Sequence, residues 1–596
     1  MKIKNRRRFF ARKTNTEQSF SKRIVFINFF FIGIFLVLIG RLFSLQVKDY
    51  SQYAAQAAAI HDTEKVLPPE RGLIYCKDKN DNLIPLAINK KYYDIFVVPK
   101  EIKDSQAASL ILSKFLPLPQ EEIFRKLNKP DDPYEILFKK IEDEELIKQI
   151  KEEKLEGVYF EEKSYRYYPL ESFASQVIGF LAENEDGKVK GRYGLESYYD
   201  DILSGQDGTF VGIKDALGRL VRSILYQEKM KVDGVSLVTT IDKNIQFAAE
   251  KALSTLITER KATDGTMIVM EPTTGKILAL ANWPTFNLNE FNEVKDYSLF
   301  RNLAVEGRYE PGSVMKPITM AAGLDSGKVT PETTYVDKGY YEVGGYTIRN
   351  YKNRVYGEVN MTKVLEQSIN TGAIFVSQQV GNEGLRRYFK KFGLAEVTGI
   401  DLPSEIAGDL SNLEYPKANP TYFTTASYGE GIAITPMELI KAYATIINKG
   451  KSVTPYVVES LIDSSGVSTQ LRSDIPEESQ QVISEETSSK LISMLASVIE
   501  NGFGNNAKIK GYSMGGKTGT SYVYQKGGVG YTEDVFHTFV AFFPVTNPRF
   551  LILVKMDKPL EGEAAGYTVT FAFKEVEQFL INYYNIPPDE IEGKTQ

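Results

Sequence analysis

At 596 residues the chain is too long for one ordinary hydrophobic core, so two to four domains are expected, and 42% hydrophobic with 25% charged residues is a globular balance. Its net charge of −5 is uneven: residues 1–23 carry nine Lys/Arg against one acid, Glu17, a local +8 that leaves −13 for the rest, and an acidic body argues against nucleic-acid binding. The single cysteine, Cys76, rules out an intrachain disulfide, and two distant histidines, His61 and His537, offer neither a His-based metal site nor a Ser-His-Asp context.

In chain order, the basic tail (1–23) runs into residues 24–40, which hold no charge. Arg41 interrupts, and an apolar stretch continues to Val47. A signal peptide has a shorter apolar run that ends in small residues, whereas this one ends in Arg-Leu-Phe, so 24–47 reads as an uncleaved transmembrane anchor. The basic residues before it place the N-terminus in the cytoplasm and the rest outside. Ala-rich residues 48–60 continue as helix. Residues 66–89, with Pro-Pro and Asp-rich turns, suggest strands and loops. The charged stretch 101–155 reads as solvated helix, and 191–209 as a Gly-punctuated helical segment. Character changes near Asp233-Gly234. Residues 235–257 read as strand, turn and amphipathic helix; 265–284 as a hairpin about Pro-Thr-Thr-Gly; 538–556 as a hairpin about Asn547-Pro548; 569–585 as a final helix. The pattern predicts an α+β fold with a sheet covered by helices, a main boundary near 236, and linker-like stretches at 463–480 and the C-terminal end.

Chemistry concentrates in "RYEPGSVMKP", 308–317, where Ser313 precedes Lys316 by three residues after Pro-Gly. On a helix the two share a face, and a helix start offers outward N–H groups to a developing oxyanion. The same spacing occurs at Ser19 and Lys22, in the basic tail, so the spacing alone is weak, and Ser313 alone is equally a helix cap. Serine needs a base, and lysine serves as one only when burial or a second cation lowers its pKa. Candidates follow: "QSINTG" supplies Ser368 and Asn370, and "GGKTGTS" supplies Lys517, Thr518, Gly519 and Thr520. A strand-edge Gly519 permits close backbone approach.

In this order the motifs are the S-x-x-K, S-x-N and K-T-G set of penicillin-binding proteins and serine β-lactamases. With "RLFSLQV", "ERGLIYCKDKNDNLIPLA", "RYYP", "GLESYYDDILSG", "TTIDKNIQ" and "YGEGIAITPMELIKAYATIINKG", nearly the whole chain after the anchor resembles class B penicillin-binding proteins. Cys76-Lys77 departs from the Asp-Arg more usual there. The resemblance implies a transmembrane helix, an elongated α+β pedestal of the dimerisation type over 48–235, a transpeptidase domain of the serine β-lactamase type with an all-helical subdomain over 236–585, and a flexible tail over 586–596. It implies a peptidoglycan D,D-transpeptidase that acts on D-Ala-D-Ala stem peptides, is acylated by β-lactams and needs no cofactor or metal. Ser313 would be the nucleophile and Lys316 its base. Ser368 would relay a proton and Asn370 would hold the substrate amide. Lys517 and Thr518 would meet the terminal carboxylate, with the backbone N–H groups of Ser313 and Thr520 as oxyanion hole beside Gly519. A multi-spanning glycosyltransferase of the shape, elongation, division and sporulation type is the implied partner. "RNLAVEGRYEPGS" leans towards division; an elongation-type enzyme, a D,D-carboxypeptidase and a non-catalytic activator of the glycosyltransferase stay open.

Overall fold

The computed structural model describes residues 16–48, 62–129, 131–214, 220–221, 227–414, 418–472, 479–525, 530–562 and 564–589. The helix expected over 48–60 lies outside them beyond Lys48, as do residues 590–596 of the expected tail. The chain divides into two compact units, Met1–Pro69 with Gln206–Val232, and Glu70–Gly205 with Asp233–Gln596.

In the first unit, helix Thr16–Phe43 ends in a π-helical turn, Ser44–Lys48. Its apolar part, Val25–Lys48, is 24 residues long. At 1.5 Å per residue it spans about 36 Å, against a hydrocarbon core of about 30 Å. Its large apolar side chains, such as Phe26 and Val37, face outward rather than into a core. The unit also holds an antiparallel sheet in which Asp62–Leu67 and Gln227–Lys229 flank Gly208–Lys214.

The second unit contains a seven-stranded sheet. Its order is Ser468–Gln470, Val458–Ile462, Ser236–Asp242, Ile74–Lys77, Leu83–Val97, Glu135–Ile141, with Val158–Tyr167 also on the long strand Leu83–Val97. Strand Ser236–Asp242 lies parallel to Ile74–Lys77 and antiparallel to Val458–Ile462. The charged stretch 101–155 is not all helix. Helices Ser105–Leu112 and Gln120–Leu127 are followed by strand Glu135–Ile141 and then by helix Glu144–Glu152. Asp104 and Asp143 cap two of the helices through backbone N–H groups. The strand buries Leu137 and Ile141 against Ile95, Ile123 and Ile147, so the apolar positions decide its state despite the lysines between them.

Three of the quoted motifs meet in this unit. Glu196 of "GLES", fully buried, takes Arg71 of "ERG" at 2.7 Å and Arg166 of "RYYP" at 2.6 Å. Arg71 also pairs with Asp200 at 2.8 Å, and Arg166 donates to Asn89 at 3.0 Å. The departure at Cys76-Lys77 is accommodated: Cys76 is buried in the core, where burial pushes its thiol up to about 12, and Lys77 pairs with Glu459.

The elements that carry the site are helix α1 (Lys243–Arg260), strands β1 (Asp264–Met270) and β2 (Ile277–Trp283), helices α2 (Lys316–Asp325), α3 (Asn370–Val380), α4 (Pro436–Ile447) and α5 (Glu485–Asn501), strands β3 (Gly515–Tyr524), β4 (Tyr531–Phe543) and β5 (Phe550–Asp557), and helix α6 (Val569–Tyr584). The strands form an antiparallel sheet in the order β2-β1-β5-β4-β3. Alternation along each strand splits its side chains between two cores. Met267, Val269, Phe539, Ala541, Ile552 and Val554 pack under α1 and α6. Ile268, Met270, Val540, Phe542, Leu551 and Leu553 face the larger core that holds α2 to α5. The fold is therefore α+β, with helices on both faces of the sheet. β3 is an edge strand, and the chemistry collects beside it.

Candidate active site

Ser313 lies on a 3-10 turn, Gly312–Met315, that runs into α2 at Lys316. In a 3-10 turn residues i and i+3 eclipse, which stacks Lys316 on Ser313 more directly than an α-turn does. Pro317 follows at the start of α2, where its missing N–H costs nothing. Lys316 is 1% exposed. Its Nζ lies 3.0 Å from Ser313 Oγ, 2.6 Å from the Ser368 carbonyl, 3.1 Å from Ser368 Oγ and 2.8 Å from Asn370 Oδ1.

Ser368 sits between a short helix, Met361–Glu366, and α3, with φ of +52°. A left-handed serine costs of order 1–3 kcal/mol, which the surrounding structure must impose. The conformation turns both the carbonyl and the hydroxyl of Ser368 towards Lys316. Ile369 is fully buried, so the middle position of the motif belongs to the core. Asn370 opens α3 and donates its Nδ2 to the Arg349 carbonyl at 3.0 Å.

Lys517, on β3, is fully buried. Its Nζ donates to Ser368 Oγ at 3.0 Å and to the Thr518 carbonyl at 2.9 Å. Both lysines thus converge on the Ser368 hydroxyl. Thr518 and Thr520 line a groove of about 1200 Å³ together with Ser313, Ser368, Asn370 and Glu430. Thr520 Oγ1 also accepts from the Ala565 N–H at 3.2 Å. Gly519 faces the turn that carries Ser313: a Cβ there would sit 2.9 Å from the Pro311 carbonyl and 3.1 Å from Val314 N. The close approach at Gly519 is made by the protein's own backbone.

Residues outside the three motifs hold this turn. The Gly312 N–H donates to the Gly429 carbonyl at 3.0 Å. Ser521 Oγ donates to the Glu310 carbonyl at 2.5 Å, and the buried Tyr443 hydroxyl donates to the Val314 carbonyl at 2.8 Å. Gly429 and Tyr443 lie in "YGEGIAITPMELIKAYATIINKG" and Ser521 ends "GGKTGTS", but no spacing in either stretch reveals such roles.

Burial, and then the charge of Lys517, hold Lys316 well below the ordinary lysine range, with Glu430 opposing. Burial lowers Lys517 to about 7. Lys316, which also feels its neighbour's charge, gives up its proton first. Burial raises Glu310 to about 7, and Glu430 is raised by burial against the pull of Lys316. The arrangement therefore places an amine whose proton is loosely held beside a serine, with a second lysine one hydroxyl away.

The family model Penicillin binding protein transpeptidase domain matches residues 265–576, and Penicillin-binding Protein dimerisation domain matches 66–239. The chain is 32% identical over 551 residues to Stage V sporulation protein D of Bacillus subtilis, covering 92% of this chain and 83% of that one. It is 27% identical over 565 residues to Peptidoglycan D,D-transpeptidase FtsI of Escherichia coli, covering 93% and 90%. The crystal structure of penicillin binding protein 3 of Mycobacterium tuberculosis complexed with aztreonam superposes with a TM-score of 0.67 at 25% identity, covering 88% of this chain and 98% of that one. Two family domains in tandem over a five-stranded sheet and a Ser-Lys-Ser-Asn-Lys cluster lead to one conclusion: the chain belongs to the penicillin-binding proteins, as a class B peptidoglycan D,D-transpeptidase.

Proposed function

We propose that this chain cross-links stem peptides through a Ser313 acyl-enzyme and is acylated by β-lactams at the same oxygen. The position of Lys316 Nζ carries the reading. Two of its neighbours, the Ser368 carbonyl at 2.6 Å and Asn370 Oδ1 at 2.8 Å, can only accept hydrogen bonds. A neutral amine serves both with its two N–H groups and keeps its lone pair for the Ser313 hydroxyl at 3.0 Å. Ser313 Oγ attacks the carbonyl of the penultimate D-Ala as Lys316 takes the hydroxyl proton. The N–H groups of Ser313 and Thr520 receive the oxyanion. Ser368, bridged to both lysines, returns a proton to the departing D-Ala amine. Asn370 holds the stem amide, and Lys517 and Thr518 receive the terminal carboxylate. A neighbouring stem's amine then attacks the ester, forms the cross-link and frees Ser313. For a β-lactam the leaving amide nitrogen stays tethered, so the ester persists.

The anchor is read as a single pass with the basic tail in the cytoplasm and residues 48–235, the pedestal, and 236–585, the transpeptidase domain, outside. A multi-spanning glycosyltransferase is the proposed partner. The septal role rests on "RNLAVEGRYEPGS" and the likeness to FtsI. Lateral-wall rather than midcell localisation of a tagged chain would replace it with the elongation reading.

The test is labelling of the full-length chain in detergent with a fluorescent penicillin, beside Ser313→Ala. Stable label on the wild type and none on the variant is expected. Label lost within seconds points to water as acceptor, as in a carboxypeptidase. No label on folded wild type makes the chain a non-catalytic activator.

A further inference from the structure

Asp337 has no hydrogen bond to any of the three motif residues of the S-x-N element, yet it bonds to the residue that follows them, Thr371. It is 2% exposed and gathers four donor groups. These are the Gly339 N–H at 2.9 Å, the Tyr356 N–H at 2.8 Å, Asn350 Nδ2 at 3.0 Å and Thr371 Oγ1 at 2.7 Å. Thr371 is the residue after Asn370, and its own N–H donates to Asn350 Oδ1 at 3.1 Å. A single carboxylate therefore pins the first turn of α3 to residues 334–360.

The consequence reaches the site through Arg349. This residue precedes Asn350 and ends the hairpin Tyr340–Val343/Tyr346–Arg349. Much of that hairpin is exposed, with Tyr346 at 69%, and its apolar contact is through Tyr341 and Ile348 against Ala373, Ile374 and Tyr428. The Arg349 carbonyl accepts from Asn370 Nδ2 at 3.0 Å. An acceptor there forces the amide nitrogen of Asn370 towards the hairpin and its Oδ1 towards Lys316. Strand Thr334–Asp337 also pairs with Gly357–Asn360, and Asn360 caps the short helix that leads to Ser368. Both ends of the S-x-N segment are thus referred to one buried acid.

We propose that Asp337 is a positioning residue for the transpeptidase reaction, acting through Asn350 and Thr371 to fix the Asn370 amide and hence the acceptor set of Lys316. The proposal rests on the Ser313 reading above. The groups around Lys316 are Ser313, Ser368, Asn370, Lys517 and Glu430; none is hydrogen-bonded to Asp337, so a change at Asp337 reaches Lys316 through the S-x-N segment, by Asn370 at one end and by the helix that leads to Ser368 at the other.

The test is the second-order acylation rate of the full-length chain by a fluorescent penicillin, measured against pH, for Asp337→Asn and Thr371→Val with thermal melting alongside. Asp337→Asn should slow acylation about tenfold or more, as expected when a reacting group is displaced by a fraction of an ångström. Losing the amide oxygen as acceptor disfavours the ammonium form of Lys316, so the acid limb of the profile should move to lower pH by about half a unit. A purely structural role would lower the melting temperature and the fraction labelled but leave that limb in place. Thr371→Val removes one of the four donors and should give the same shift with about a threefold slowing. Wild-type rate and an unmoved limb in Asp337→Asn overturn the proposal. If Asp337→Asn does not fold, Thr371→Val decides alone: an unmoved limb in it overturns the proposal. If folded wild type takes no label, the Ser313 reading fails and the proposal falls with it.

Discussion

Replacing Lys316 by methionine tests the chemistry most directly. Lys316→Met keeps an unbranched side chain of similar length, removes the amine and exchanges one methylene for a thioether sulfur. In the native site that amine is buried, which lowers its pKa, and it makes hydrogen bonds but no ion pair among the described residues. Two buried acceptors, the Ser368 carbonyl and Asn370 Oδ1, lose a donor. Each costs about 1–3 kcal/mol, offset in part because a polar nitrogen no longer has to be desolvated, so the net loss of stability should be about 1–3 kcal/mol. The loss in acylation is larger. A positioned general base is worth about 10²–10⁴ in rate, or about 3–5 kcal/mol of barrier. The assay is the time course of fluorescent-penicillin labelling at several pH values, with a melting curve to confirm folding. The wild-type rate should rise with pH as Lys316 loses its proton, and the variant should lack that limb. A folded Lys316→Met chain that acylates within about tenfold of wild type and keeps the limb would refute the assignment of the base.

Two other outcomes follow from buried charge. Glu310, raised by burial to about 7 from its ordinary 4.5 and bonded to the Tyr531 hydroxyl at 3.0 Å, holds its proton more tightly in the folded state. The stability this contributes is full below pH 4.5 and is lost as pH rises through about 7, so Glu310→Gln should gain on wild type between those values by at most about 3 kcal/mol. Denaturant midpoints at either end of that window check it, and a gap independent of pH counts against it. Glu196→Ala leaves the guanidinium groups of Arg71 and Arg166 buried without their shared carboxylate and should destabilise by about 3–5 kcal/mol. Hydrogen exchange along Val158–Tyr167 and Leu83–Val97 should rise, and a loss below about 1 kcal/mol would show that water repays the arginines.

Periodicity revealed the parts whose contacts are local. The two hairpins, helix α1 and helix α6 were legible because alternation or amphipathic spacing and turn residues occur together within a short window. The S-x-x-K spacing was legible for the same reason, and its geometry is tighter than an α-helix implies because the turn is 3-10. Strand Glu135–Ile141 was hidden by lysines on its outward face. Asp337 was illegible for a different reason: its partners Asn350 and Thr371 are 13 and 34 residues away, and nothing local marks an aspartate as a carboxylate that will gather four donors. The meeting of Arg71, Arg166 and Glu196 is likewise a product of topology, visible as separate motifs but not as one ion cluster. Residues 62–67 and 208–214 share a sheet although Pro68 to Asp207 lies between them.

The strand Ser236–Asp242 has a mechanical meaning. It is hydrogen-bonded on one side to Ile74–Lys77 and on the other to Val458–Ile462, and its last residue, Asp242, caps α1 through the N–H groups of Asn244 and Ile245. α1 in turn lies on the sheet that ends in β3. A hydrogen-bonded ladder is stiff across its strands, unlike a linker that lets two bodies swing. A push on strand Leu83–Val97 therefore travels through continuous ladder into the helix that backs the catalytic sheet. Along this route strands Leu83–Val97 and Ile74–Lys77 act on α1 as a lever arm rather than a tether.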